Sequence, residues 1–492
     1  MSEIATATAS GVPLARRPLI LAACMAATFM AAVEATIIAT AMPAIAARLG
    51  GFSLYAWVFS AYMLGQAVTI PIYGRLADLY GRRRVFYAGA AIFLLGSTLC
   101  GLAGSMAQLV VFRAIQGLGA GGVQPIANTI VGDIYSPVER ARVQGMLSGV
   151  FGVSAVIGPS LGAFIVQYGA WPLVFWMNLP IGAAAIAMIA LFLPEPASAR
   201  RRSIDIPGSV LLLAAVTSLM LLLQSAGFDR AVTLALGVAF LLSGLALVLH
   251  ERRTAEPMLP LELWRNPMIV SSNAGSLVTG MLMMGVTAYL PACIQGVMGR
   301  GANVSAVVLA LMAVVWVLGS TIAGLCLPHT TYRRTAAMGA IALIAGAALL
   351  VAMGPHSSPI WAGAGSVLIG AGMGFCNTTF MVSVQTSVAR DQRGAATSST
   401  MFLRFLGQSL GAAMFASVLT ASLDGAAGAL DHLMDLPWRA LQSPPDLAAL
   451  TDAVSSAMRH AYGLTAALAV LALLLALTYP PKLGPSSQMR RP

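Results

Sequence analysis

The chain has 492 residues, 58% hydrophobic and only 9% charged, with a mean hydropathy of +0.83 and a formal charge of +11. No soluble globular domain of this length has such a composition, so a water-soluble enzyme or regulator is excluded and a polytopic membrane protein is implied. A basic excess alone could suggest nucleic acid, but the basic residues fall in short polar connections between apolar stretches, so the charge reads as topological and no nucleic-acid partner is expected.

A helix crossing about 30 Å of hydrocarbon needs roughly 20 apolar residues. Fourteen stretches approach that length: 18–41, 54–75, 84–104, 107–133, 142–167, 172–193, 208–224, 231–250, 270–292, 303–327, 336–352, 361–385, 399–420 and 462–479. Arg16 and Arg17 resemble the basic start of a signal peptide, yet the run that follows is too long, carries Glu34 and ends without a small-residue cleavage pattern, so an uncleaved first helix is expected. With odd-numbered connections outside, 21 of the 28 basic residues lie in cytoplasmic segments. The positive-inside rule then predicts a multi-pass protein of the cell (inner) membrane with both termini cytoplasmic.

Taken in chain order, the first segment places Glu34 near its middle, where a charge costs about 2.5 to 3.5 kcal/mol and needs a use. Between segments two and three the chain reads Gly74-Arg-Leu-Ala-Asp78-Leu-Tyr-Gly81-Arg82-Arg83-Arg84. Glycines for tight turning and an acid among arginines make a latch that can hold one conformation by charge-assisted hydrogen bonds and then release it. Segment four carries a second intramembrane charge, Arg113, followed by Gln116, Gly117 and Gly119. Segment five has pairs of glycines four apart, Gly145 with Gly149 and Gly158 with Gly162, which permit close helix approach, while Pro159 loosens the helix locally.

Two polar linkers, 195–207 and 251–267, bracket segments seven and eight, which look like an insert. Removing it leaves six helices on each side, and Arg82, Arg83 and Arg142 recur at one shift as Arg333, Arg334 and Arg393. The expected organisation is a cytoplasmic N-terminus (1–17), an N-terminal six-helix bundle (18–193), the two-helix insert with its linkers (194–267), a C-terminal six-helix bundle (268–479) and a cytoplasmic tail (480–492). An outer loop at 424–460 is rich in aspartate. The helical pattern near 446–458 fits a folded cap, and a solvated loop fits as well. The five cysteines (Cys24, Cys100, Cys293, Cys326, Cys376) lie in or beside apolar segments without metal-ligand spacing, and the five histidines lie at segment ends or in loops, so neither a metal nor a cofactor is expected.

These motifs together resemble the major facilitator superfamily, and within it the fourteen-helix drug:proton antiporters. The loop matches the pattern G-x-L-a-D-r-x-G-r-[RK]-x at Gly74, Leu76, Ala77, Asp78, Gly81, Arg82 and Arg83, and segment four resembles R-x-x-Q-G-x-G. Segment five resembles the antiporter motif G-x-x-x-G-P-x-x-G-G at Gly149 to Gly162, with Ala163 replacing the last glycine. Glu34 stands in a stretch similar to L-D-x-T-I-V-N-V-A-L-P, with Glu for Asp and Ala39 for Asn. Trp171, Phe175, Trp176, Asn178, Pro180 and Gly182 resemble a later signature in which Pro172 replaces an arginine. Gln385, Arg393, Gly394, Ala396, Arg404, Gly407 and Gly411 echo the family's second half.

The resemblance implies an all-α fold of two six-helix bundles plus two inserted helices, and alternating access. It links Arg113 with proton transfer and makes Glu34 its natural partner. It also implies that segments one, four, nine and twelve line a substrate cavity, with Gln124, Asn128, Asn273, Tyr289, Asn377, Thr378 and Thr379 as polar or aromatic candidates. Met281, Met283 and Met284 offer adaptable apolar surface, or a lipid-facing stripe. The expected function is proton-coupled efflux of amphipathic organic compounds, with a small-molecule substrate, protons and the lipid bilayer as partners. The altered antiporter motif keeps import of a nutrient or vitamin, for example a flavin-like compound, open as an alternative. A transporter-like receptor is a remote alternative.

Overall fold

The structure, a computed structural model, describes residues 13–49, 54–168, 170–194, 205–223, 229–254, 261–300, 302–422 and 444–480. Its long helices are α1 (Arg17–Leu49), α2 (Tyr55–Tyr80), α3 (Arg82–Gly101), α4 (Met106–Ile134) and α5 (Pro137–Tyr168). A short α6 (Leu173–Trp176) then leads into α7 (Asn178–Phe192), followed by α8 (Ile206–Leu223), α9 (Arg230–Glu251) and α10 (Pro267–Ala292). The remainder are α11 (Ala302–Cys326), α12 (Tyr332–Val351), α13 (Pro359–Ser387), α14 (Arg393–Ser422) and α15 (Pro444–Leu477). Each of the fourteen apolar stretches lies on a helix, the sixth divided at Met177. Among the described residues, eleven helices are long and apolar enough to cross a membrane by length and composition. The three helices outside that set are α2, α5 and α8, the last because its apolar run is shorter.

Local sequence sets the helix ends. At α5, Ser136 and Glu139 form a capping box, the Ser136 N–H donating to Glu139 Oε2 at 2.8 Å and the Glu139 N–H to Ser136 Oγ at 3.4 Å, with Pro137 at the first helical position. Ser105 and Thr331 cap α4 and α12 through the backbone N–H of Gln108 and Arg334. Gly81, at φ +92°, supplies the backbone turn between α2 and α3 that a residue with a Cβ rarely adopts.

The chain divides into two compact units. The first comprises 1–143, 153–269 and 384–402, and in it α4 packs against α1, α2 and α3 while α7 lies on α1 and α3. The insert belongs here: α8 and α9 form a hairpin and α8 leans on α2. His250, at the end of α9, meets Asp205 Oδ1 at 2.7 Å, and the same oxygen accepts the Gly208 N–H that starts α8, so one carboxylate ties the hairpin ends together. Leu234, Leu241, Leu242 and Leu245 on α9 are exposed, as expected of a face that meets lipid.

The second unit comprises 144–152, 270–383 and 403–492, and α12 packs along α15 within it. Helix α15 begins at Pro444, well before the apolar run predicted at 462. The part of the outer loop placed at 444–460 is therefore neither a separate cap nor a solvated loop, but the start of the last helix. Thr451, Val454, Ser455, Ala457, Met458 and Ala461 are buried on one face, with Asp452, Arg459 and His460 exposed. An amphipathic continuation with an apolar face every three to four residues extends a helix beyond the point where mean hydropathy falls. Residues 424–443 of that loop lie outside the described residues.

Candidate functional site

Glu34 of α1 and Arg113 of α4 meet in the core of the first unit, 0% and 1% exposed. Arg113 Nη1 donates to Glu34 Oε1 at 2.5 Å and to Gln116 Oε1 at 2.7 Å, and its Nε donates to the Val58 carbonyl at 3.2 Å. The other carboxylate oxygen, Glu34 Oε2, accepts from Asn178 Nδ2 at 2.5 Å. Ser97 Oγ completes the cluster, receiving Gln116 Nε2 at 2.7 Å and Asn178 Nδ2 at 3.2 Å. The Tyr62 ring lies 4.2 Å from the guanidinium carbon, and Phe175 at 6.0 Å. Apolar side chains of Val33, Ile37, Val58, Cys100, Leu109 and Phe175 surround it.

A single buried ion pair thus has its spare lone pairs and protons matched by neutral amides, the condition under which desolvating two charges is tolerable. The helices come close enough for this because small residues intervene: a Cβ on Gly96 would meet Gln116 at 2.5 Å, and one on Gly117 would strike the Tyr62 carbonyl. Protonating Glu34 would remove the charge that holds Arg113 and the anionic acceptor that Asn178 serves.

The second cluster sits at the end of α2. Asp78 Oδ1 accepts from Arg82 Nη2 at 2.6 Å and from the Gly394 N–H at 2.9 Å, and Oδ2 accepts the Ala395 N–H at 2.8 Å. The carboxylate therefore sits on the first N–H groups of α14, where the helix dipole favours an anion. Arg82 also donates to Asp133 Oδ2 at 3.0 Å and to the carbonyls of Ala77 and Arg390, each at 2.6 Å. Arg393 binds Asp133 Oδ1 at 3.0 Å and the Gly132 carbonyl at 3.2 Å. Close backbone approach makes this possible: a Cβ at Gly74 would lie 2.7 Å from the Gly394 carbonyl and overlap Ser398. Asp78 lies past the apolar run that ends near residue 75, and burial pushes its carboxyl up to about 6 against the pull of Arg82 and the two N–H donors, so it is ionised at neutral pH.

Of the residues expected in this latch, Gly74, Asp78, Gly81 and Arg82 gather here. Arg83 does not: it donates to Tyr87 at 2.8 Å and to the Leu193 carbonyl at 3.2 Å, fastening the start of α3 to the end of α7. Sequence alone does not single out Asp133, which reads as an ordinary helix-end acid, and it marks Asn178 only as part of a signature stretch, without a role at Glu34. An acid close to an arginine-rich loop was the one available signal.

The glycines of α5 divide their work. In the second unit, a Cβ at Gly145 would meet Thr321 Cα at 2.9 Å, and Gly149 and Gly152 face Val317 of α11. In the first unit, Gly158 abuts Thr36 of α1, whose hydroxyl donates to the Ser154 carbonyl at 3.2 Å. Gly162 is buried, and Pro159 lies within the helix.

The cavity candidates are scattered. In the first unit Gln124 and Asn128 are buried on α4, Asn128 Nδ2 donating to the Gln124 carbonyl at 3.0 Å while its own carbonyl accepts from Gln385 Nε2 at 3.1 Å. In the second unit Asn273 is buried, Tyr289 lies against Phe415, and Thr378 and Thr379 are spent on helix contacts, to the Ser320 and Phe375 carbonyls. Asn377 Oδ1 accepts from Arg404 Nη1 at 2.9 Å.

The profile of the Major Facilitator Superfamily matches residues 24–412. The chain is 34% identical over 395 residues to multidrug resistance protein 3 of Bacillus subtilis (strain 168), covering 80% of this chain and 77% of that protein. It is 32% identical over 410 residues to the multidrug transporter protein MdtP of the same organism (82% and 76%). It is also 31% identical over 463 residues to the efflux pump FUS6 of Gibberella fujikuroi (88% and 83%). Among solved structures, the human organic anion transporter MFSD10 superposes with a TM-score of 0.67 over 93% of this chain and 99% of that one, at 15% identity, a likeness of fold alone.

Proposed function

Because this chain belongs to the major facilitator superfamily, whose members here are membrane transporters and not enzymes, we propose that it is a proton-coupled exporter of amphipathic organic compounds working by alternating access. In this reading all fourteen apolar helices span the membrane, both termini are cytoplasmic, and the bundles are 18–193 and 268–479 with the insert between them. Glu34 is the proton site and Arg113 its switchable partner. The buried Glu34–Arg113 pair carries the proposal, because a solitary carboxylate in a membrane core, answered by one arginine, is the arrangement a proton can dissolve.

A proton arriving from outside neutralises Glu34, frees Arg113 and loosens α1 from α4 and α7, which favours the alternative orientation. Asp78 and Arg82 hold the start of α14 until that change, and the glycine face of α5 around Gly149, Gly158, Pro159 and Gly162 keeps the helices close enough to slide. Gln124, Asn128, Asn273, Tyr289, Asn377 and Thr378 remain the candidates for substrate contact. One charge crossing 100 mV supplies about 2.3 kcal/mol and one pH unit about 1.4, together enough for a several-hundredfold substrate gradient.

The test is flux in proteoliposomes under an imposed pH gradient, with inside-out and right-side-out orientations compared across a chemically varied panel. Proton-driven extrusion is expected from the wild type and its loss from Glu34→Gln. Near-normal pH-driven flux in that variant would refute Glu34 as the proton site, and inward accumulation would reverse the direction.

A further inference from the structure

Arg404 lies at the middle of the apolar span Arg390–Leu419, where a guanidinium costs about 2.5 to 3.5 kcal/mol unless something receives it. Arg113 meets that cost with a carboxylate, an amide, a carbonyl and a tyrosine ring. Arg404 has no ion pair among the described residues. Among those residues its one hydrogen bond is to the neutral Asn377 Oδ1 at 2.9 Å, and its Nε is buried with no partner among them. Most of a fork that carries five N–H donors is therefore unspent.

The backbone beneath this side chain is held firmly. The Arg404 carbonyl lies against Gly280 and the Leu277 carbonyl against Gly407, contacts too close for any Cβ, so α10 and α14 are in direct backbone contact and the guanidinium starts from a fixed base. One turn along α14, Gln408 Nε2 approaches Met283 Sδ at 3.9 Å, and the Phe405 ring centre lies 5.7 Å from the Arg404 guanidinium carbon. A cationic fork, two neutral amides and a soft apolar surface are thus assembled within the second unit.

We propose that Arg404, with Asn377 and Gln408, forms a binding site for the acidic group of an amphipathic organic carboxylate. This rests on the transporter reading and specifies its substrate class. The planar guanidinium matches a carboxylate in bidentate fashion, the anion would balance a mid-span charge that has no ion pair among the described residues, and Met283 with Phe405 would take the hydrocarbon body.

The probe is 2-naphthoate, compared with the uncharged 2-naphthamide at constant chloride, binding being read by calorimetry on the full-length protein in nanodiscs. The expected result is naphthoate at least tenfold tighter than the amide, a preference lost in Arg404→Gln, reduced but still present in Arg404→Lys, and weakened severalfold in Asn377→Ala. Equal binding of the two probes to the wild type overturns the proposal, as do retention of the preference in Arg404→Gln and displacement of naphthoate by equimolar chloride. The two readouts are separate, since the naphthoate preference is assigned to Arg404 and pH-driven flux to Glu34. Absence of proton-driven flux from a wild type that still prefers naphthoate would therefore sink the transport mechanism alone, and proton-driven flux of other compounds without that preference would sink the carboxylate site alone.

Discussion

The Glu34–Arg113 pair allows a double-mutant cycle whose outcome follows from its geometry. With charge centres about 4 Å apart and an effective dielectric near 20, the attraction is about 4 kcal/mol. In Glu34→Gln the amide replaces the carboxylate isosterically, but Arg113 and Asn178 both point donors at it, so whichever way the amide turns one donor faces another. Glu34→Leu and Arg113→Met alone should each destabilise the protein by about 3 to 5 kcal/mol, because each strands a buried charge, and Glu34→Gln strands Arg113 in the same way. The apolar double variant Glu34→Leu/Arg113→Met strands neither and should recover to near wild-type stability, giving a coupling of several kcal/mol. Unfolding in mixed micelles of rising denaturing-detergent fraction measures all four corners, and proton-driven flux should be lost in every variant. If the double variant loses as much stability as the two singles combined, the pair is not a coupled unit and the argument built on it fails.

Asp78→Ala removes the acceptor for two backbone N–H groups of α14 and for Arg82, so amide exchange at Gly394 and Ala395 should rise by tenfold or more; unchanged protection would show that the latch is held elsewhere. Gly74→Val puts a branched side chain into Ser398 and the Gly394 carbonyl and should abolish transport, whereas Gly104→Ala, whose nearest neighbour is Gln108 Oε1 at 3.5 Å, should leave it intact; equal activity of the two in a flux assay would deny that close approach matters. Asn178→Leu deletes a hydrogen bond to a buried carboxylate and should cost about 1.5 to 3 kcal/mol, measured as above, with Ser97→Ala costing less.

Much of this architecture could be read along the chain because a membrane helix is a local, additive property: some 20 apolar residues in a row suffice, and all fourteen runs lie on helices. Glu34 and Arg113 stood out for the same reason, as charges where charge is costly. The start of the last helix did not, since an amphipathic turn has low mean hydropathy. Only folding could show that Asn178 reaches the second oxygen of Glu34, that Asp133 gathers Arg82 and Arg393 while Arg83 turns to α7, and that Arg404 has a neutral partner. Each depends on which helix faces bring residues from 27 to 260 positions apart into hydrogen-bond contact, or leave a charge without an opposite one, and packing decides that through the fit of glycines against backbone, a quantity no single stretch of sequence contains.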